Sequence, residues 1–256
     1  MRFASLGSGS RGNALVVQCG ASCILVDCGF GLAETTARLA RLGLTPQALT
    51  GVVLTHEHGD HASGAIRLAR KHVLPTWATH GTVAALQTAY PDLPDFNLVD
   101  IHQRFRIGDI EIEPFPVPHD AREPVQYVLG DGARRLGVLT DAGCATAHIE
   151  AVLRRCDALV LECNHDLGML RASGYPPALK VRISGRFGHL DNAAAASLLA
   201  GLDQSRLQHV VAAHLSEENN TPGLARAALA GALGCAPEWV GCADQAVGFG
   251  WRQIAP

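Results

Sequence analysis

Apolar positions recur along this chain with two different periods, and the changes of period predict its elements. Short apolar runs at 3–6, 14–18 and 23–27, separated by glycine-bearing turns, predict three strands. From 32 to 42 the spacing is helical and stops at Gly43; 51–55 reads as a buried strand, and 62–72 is helical again. Two hairpins follow, 104–107 with 110–115 around Gly108-Asp109, and 125–129 with 136–140. The remainder predicts a helix near 145–155, a strand at 158–162, a helix near 192–201, a strand at 209–213, a helix near 223–233 and closing strands between 240 and 251. Strand clusters followed by helices occur twice with no linker between the halves. The expected architecture is a single domain over 1–256, α+β in class, with two β-sheets face to face and helices outside.

Composition narrows the partners. The chain is 48% hydrophobic and 18% charged, with a formal charge of -3, so it does not coat nucleic acid by bulk charge, although a local basic groove remains open. The first residues lack the apolar stretch of a secretory leader, and no run reaches the ~18 apolar residues of a membrane span. The eight cysteines contain no Cys-x-x-Cys pair and mostly lie in apolar stretches, so core thiols are expected rather than disulfides or a zinc ribbon. The expected compartment is the cytoplasm, with no membrane partner.

The densest chemistry is Leu54-Thr55-His56-Glu57-His58-Gly59-Asp60-His61. Leaving a strand in extended conformation, His56 and His58 project to one side. A turn at Gly59 then brings Asp60 and His61 to a second point nearby. Neutral imidazoles with a carboxylate suit zinc, manganese or iron rather than calcium or magnesium. Four such ligands crowd one open ion but suit two ions roughly 3.5–4 Å apart. Further ligands must come from distant strands, and His119, Asp141 and His214 each follow an apolar run. A polar residue there also serves as a loop cap; taken together, the three complete two metal sites with Asp141 as the bridge.

The segment resembles the His-x-His-x-Asp-His motif of the metallo-β-lactamase superfamily, and the order His119, Asp141, His214 matches its later ligands. The resemblance implies a four-layer αββα sandwich and two divalent metal ions, Zn2+ or Mn2+. One would be held by His56, His58 and His119, the other by Asp60, His61 and His214, with Asp141 touching both. It also implies that Asp27 orients the metal loop. The opening 7–13, the segment Glu162-Cys163-Asn164-His165-Asp166, the segment Gly188-His189-Leu190-Asp191-Asn192 and the stretch 213–220 look like the YycJ-type (WalJ) branch over nearly the whole chain. That branch implies 5′-to-3′ degradation of DNA by a metal-bridging hydroxide.

Other residues bear on this reading. Arg171, Lys180, Arg182 and Arg186 lie in a stretch from 167 to 190 that contains no acidic residue, and can follow a phosphate backbone or form a solvated face. Ser8, Ser10 and Asn13 can present hydroxyl and amide groups to a phosphate, or build a tight turn. Glu162 and His189 are candidates for proton transfer, with Asp60 orienting the nucleophile; His189 can instead cap the helix that follows. His165 has no assigned role. The rival reading is a thioester or lactone hydrolase on the same metals, and a third is a binding protein that keeps the fold without catalysis.

Overall fold

The computed structural model describes residues 1–256. The chain first lays down β1 (Arg2–Gly7), β2 (Ala14–Cys19), β3 (Ser22–Val26), β4 (Gly51–Val53), β5 (Thr76–Thr79) and β6 (Asn97–Val99), with α1 (Leu32–Arg41), α2 (Gly59–His72) and α3 (His80–Ala89) between them. It then builds β7 (Phe105–Ile107), β8 (Ile110–Pro116), β9 (Val125–Gly130), β10 (Arg135–Leu139), β11 (Ala158–Glu162), β12 (His209–Ala213) and β13 (Gly241–Cys242). Helices α4 (Ala147–Leu153), α5 (Leu167–Ala172), α6 (Pro177–Ile183), α7 (Asn192–Gly201) and α8 (Pro222–Leu233) accompany them, and β14 (Phe249–Gln253) closes the chain.

The strands form two seven-stranded sheets, ordered β14-β1-β2-β3-β4-β5-β6 and β13-β12-β11-β10-β9-β8-β7. Each sheet is antiparallel in one part and parallel in the other, the parallel strands being β3 to β6 and β10 to β13. Between the sheets lies a core that includes Phe3, Val17, Ile24, Ile112, Tyr127 and Val160. A second core joins the outer face of one sheet to α1 and α2 through Leu25, Leu39 and Leu68. A third joins the other sheet to α4, α7 and α8 through Leu161, Ile149, Leu198 and Leu229. Strand alternation thus feeds two apolar faces per sheet, and the result is the expected αββα layering. No helix is long and apolar enough to cross a membrane.

Both expected hairpins are present, β7 with β8 and β9 with β10. Helix α2 begins at Gly59 rather than near 62, because the polar His-Gly-Asp-His segment carries no apolar period to reveal its first turn. Elements β5, α3 and β6, and the short helices α5 and α6, were not expected from the pattern; α6 buries no residue and so shows no apolar stripe. All eight cysteines are free thiols.

Candidate metal centre

The ends of the parallel strands carry the site. Asp27 follows β3, the histidine segment follows β4, Asp141 lies just past β10, Glu162 ends β11 and His214 follows β12. Ligand sites in sheets with parallel strands form beyond these carboxyl ends, where successive loops diverge. Three of the residues, Asp27, Asp141 and His214, have left-handed backbones with φ of 61°, 53° and 54°. That conformation costs a non-glycine residue of order 1–3 kcal/mol and turns each side chain sharply out of its strand.

The loop of α2 is pressed onto the segment after β3. A Cβ on Gly29 would collide with the Asp60 carbonyl, and one on Gly64 with the Phe30 carbonyl, so these glycines permit the close approach. The Cys28 amide donates to the His61 carbonyl at 2.7 Å and the Asn13 amide to the Asp60 carbonyl at 2.8 Å. Asp60 and His61 are thereby fixed in the first turn of α2, where a carboxylate is favoured by the helix dipole.

Four subsets of acidic and imidazole side chains bring their ligand atoms within 4.8 Å of one another: His56, His58 and His119; Asp60, His61 and His214; His56, His61 and Asp141; and Asp141, Glu162, His189 and His214. The seven expected metal residues therefore converge, and Asp141 faces both histidine groups. Its carboxylate oxygens stand 3.2 Å from His61 Nε2, 3.5 Å from His214 Nε2 and 3.9 Å from His119 Nε2.

The far nitrogen of each of three imidazoles is held by the protein. His56 Nδ1 donates to Thr55 Oγ1 at 2.9 Å, His61 Nδ1 to Asp27 Oδ2 at 2.8 Å and His119 Nδ1 to the Gly188 carbonyl at 3.1 Å. The Nε2 atoms are left turned to a common centre, where His56 Nε2 faces His58 Nδ1 at 3.0 Å and His119 Nε2 faces the same atom at 3.3 Å. Imidazole nitrogens aimed at one another in this way have no mutual hydrogen-bond logic unless a proton or a cation lies between them. Asp141 Oδ2 is buried without a hydrogen bond. Its nearest neighbour is His61 Nε2 at 3.2 Å, and a buried carboxylate amid converging imidazoles is the donor set of a divalent transition-metal centre.

The electrostatics divide the centre in two. Burial, then the neighbouring His61, pushes His56 well below its ordinary range; burial also lowers His119. Burial would likewise lower His61 and His214, but Asp141 and Asp60 outweigh it, holding His61 well above the ordinary value and His214 at about 10. Burial would raise the carboxyls of Asp60 and Asp141, yet the adjacent imidazoliums hold both far below the usual range.

Glu162 is fully buried and supports the other wall. Its Oε2 accepts the amides of Ala142 at 2.9 Å and Leu190 at 3.1 Å, while its Oε1 accepts His189 Nδ1 at 2.8 Å. Burial lowers His189, but Glu162 more than compensates and the net shift is upward. His189 is partly exposed on the cavity wall, and Asp191 rather than His189 caps α7. His165 is buried, its Nδ1 3.3 Å from Asn164 Oδ1 and its Nε2 without a partner.

In front of the cluster lies a polar cavity of about 210 Å³, whose only apolar lining is Leu179 and Ile183. Of the four expected basic residues, Arg182 lines it, held by Asp120 Oδ2 at 2.6 Å. Lys180 donates instead to the carbonyls of Arg171 and Ser173, both at 2.7 Å, and Arg171 and Arg186 are exposed outside the cavity. Ser10 lines the cavity, but Ser8 and Asn13 are buried. Ser8 Oγ accepts the His214 amide at 2.9 Å, and Asn13 Nδ2 lies 3.1 Å from His61 Nε2. Asp120, Thr55 and Asn164 have no role legible in the sequence, although each adjoins a candidate residue; Asn164 Nδ2 donates to the His214 carbonyl at 3.1 Å.

Residues 23–214 match the family model described as the beta-lactamase superfamily domain. The chain is 37% identical to the exodeoxyribonuclease YycJ of Bacillus anthracis over 231 residues, 88% of this chain and 86% of that one. It is 31% identical to the exodeoxyribonuclease WalJ of Streptococcus pneumoniae serotype 2 over 244 residues, covering 94% and 91% of the two chains. Among solved structures, the metallo-beta-lactamase fold protein YhfI from Bacillus subtilis superposes with a TM-score of 0.75 at 16% identity, over 98% of this chain and 99% of that one, a likeness of fold.

Proposed function

The chain belongs to the beta-lactamase superfamily and is a metal-dependent hydrolase, and from that premise we propose that it is a DNA exonuclease working from the 5′ end. The carrying observation is the cavity lining: polar throughout except for Leu179 and Ile183, with a guanidinium at its mouth. A thioester or lactone substrate is stabilised by an apolar pocket, whereas a phosphodiester needs cationic and polar partners.

His56, His58 and His119 would hold one divalent cation, zinc or manganese, and Asp60, His61 and His214 a second, with Asp141 facing both groups; when bound, the cations would supply Lewis acidity to the phosphate and to the attacking water. Asp60, partly exposed to the cavity, is placed to orient that water as well as to ligate. Arg182 and Ser10 hold the phosphate at the cavity mouth, and exposed Arg171 and Arg186 are available to flanking phosphates. His189, its Nδ1 tied to Glu162, turns its other nitrogen to the cavity and delivers a proton to the departing ester oxygen. Glu162 touches no substrate and acts by holding His189. Ser8 and Asn13 position His214 and His61.

The test is hydrolysis of 5′-phosphorylated single- and double-stranded oligonucleotides, labelled at either end, beside a panel of thioesters and lactones, with Asp60→Ala as control. Mononucleotide release from the 5′ end, lost in the control, is the expected result. Turnover of a thioester with intact DNA would overturn the reading.

A further inference from the structure

We propose that Glu57 is a positioning residue whose carboxylate ties the loop bearing His119 to the histidine segment and so sets three imidazoles in register. This rests on the two-cation reading above. Glu57 stands between His56 and His58, yet it is not among the converging donors and does not line the cavity. In an extended segment successive side chains leave on opposite sides. The two imidazoles therefore meet, His56 Nε2 facing His58 Nδ1 at 3.0 Å, while the residue between them is turned to the neighbouring loop.

There Glu57 Oε1 accepts the main-chain N–H of Arg122 at 2.7 Å, three residues beyond His119. An amide donating to a carboxylate is among the stronger hydrogen bonds of a protein. The Arg122 side chain is exposed, so the bond fixes backbone rather than pairing two charges. Glu57 Oε2 is buried without a partner, at a desolvation cost that a solvated loop face would not carry.

The other ties of the 118–124 loop run elsewhere. The Gly143 amide donates to the Pro118 carbonyl at 2.8 Å, the Asp120 amide to the Phe187 carbonyl at 3.0 Å and the Gly81 amide to Glu123 Oε2 at 2.6 Å. His119 Nδ1 donates to the Gly188 carbonyl at 3.1 Å. Toward residues 56–61 the loop offers only the Glu57 bond and His119 Nε2, which faces His58 Nδ1 at 3.3 Å. Two imidazole nitrogens do not hold loops together until a proton or cation lies between them. The approach of His119 to His56 and His58 is thus set beforehand by the carboxylate, and ligands ordered in advance bind more tightly than ligands that must be ordered on binding. The group of Asp60, His61 and His214 is braced by Asp27, Asn13 and Ser8, none of which is hydrogen-bonded to this loop. Removing Glu57 is therefore felt by one group and not by the other.

The experiment is zinc content after dialysis against a graded chelator series, beside thermal melting, for wild type, Glu57→Ala, Glu57→Asp, Glu57→Gln and Arg122→Ala. In Glu57→Ala, and in Glu57→Asp, whose carboxylate falls a methylene short of the amide, one zinc ion should leave at roughly 10–100-fold lower chelator strength than in wild type. The other ion should leave where it does in wild type. Glu57→Gln offers an oxygen to the same N–H and should stay within about threefold of wild type. Arg122→Ala keeps the main-chain donor and should match wild type. Shortened variants that hold both ions as wild type does, or that lose both equally, overturn the proposal while leaving the two-cation reading in place; so does a Glu57→Gln protein as weak as Glu57→Ala. A wild type that binds fewer than two zinc ions overturns both.

Discussion

Asp27 and His61 are joined by a 2.8 Å hydrogen bond inside the protein, although 34 positions separate them in the chain. The same carboxylate accepts the Thr55 amide and hydroxyl, each at 2.8 Å, so one buried group orients both the histidine and the start of the loop that contains it. Because Asp27 has a φ of 61°, a conformation that Asn also accepts, Asp27→Asn isolates the charge from the backbone. The expected outcome is an intact fold by circular dichroism with metal affinity lowered by roughly 10–100-fold in a chelator competition. Unchanged affinity would remove Asp27 from the metal centre.

Loss of the shared carboxylate should be more severe. Asp141→Asn keeps the left-handed backbone accessible but takes away the charge facing both histidine groups. Metal content and hydrolysis are expected to fall together, as they are for Asp60→Ala, because the one buried carboxylate facing both histidine groups would no longer offset the charge of bound cations. Elemental analysis beside activity checks it; an Asp141→Asn protein retaining its full metal complement would count against the bridge.

His189→Ala is expected to retain metal and to lower kcat by ~10²–10⁴, the usual contribution of an acid–base residue. Glu162→Ala should also lower the melting temperature, since it abandons the amides of Ala142 and Leu190 at about 1–3 kcal/mol for each unsatisfied donor. The two variants are thus separated by thermal melting. If His189→Ala turned over at the wild-type rate, the proton would have another source.

Metal loading should eject protons, and unequally from the two halves. Without metal, His214 keeps its proton up to about pH 10, and His61 also titrates well above the ordinary value of 6.5. A cation requires both as neutral ligands, so binding at Asp60, His61 and His214 tightens as pH rises through this window. His56 and His119 are already held toward the neutral form. Calorimetry at pH 7.5 in buffers of different ionisation enthalpy should show ~2 protons released per fully loaded protein. Binding without proton release would contradict the assignment.

Arg182→Ala should raise KM for DNA and reduce the salt dependence of binding by about one counterion, whereas Lys180→Ala, whose ammonium is occupied by two carbonyls, should leave the salt slope unchanged. Equal slopes for the two variants would place the phosphate track elsewhere.

The sequence by itself determined the layers and the chemistry. Two-residue and helical periods depend on neighbours a few positions apart, so the strands, the two hairpins and the main helices could be read from local pattern. The cluster from His56 to His61 announced a metal because its donors are adjacent, and His119, Asp141 and His214 stood out as polar residues at the ends of apolar runs. Tertiary structure alone decided which groups meet. Four bases between 171 and 186 look equivalent along the chain, yet only Arg182 is turned to the cavity, by an aspartate 62 positions away. Ser8 and Asn13 looked like phosphate contacts, but the packing of the first loop against β12 and α2 engages them with His214 and His61. Helix α6 carries no buried stripe, so no periodicity marked it. Side-chain partners of this kind are set by how the strands cross and where the loops dock, and no local pattern in the sequence records those distances.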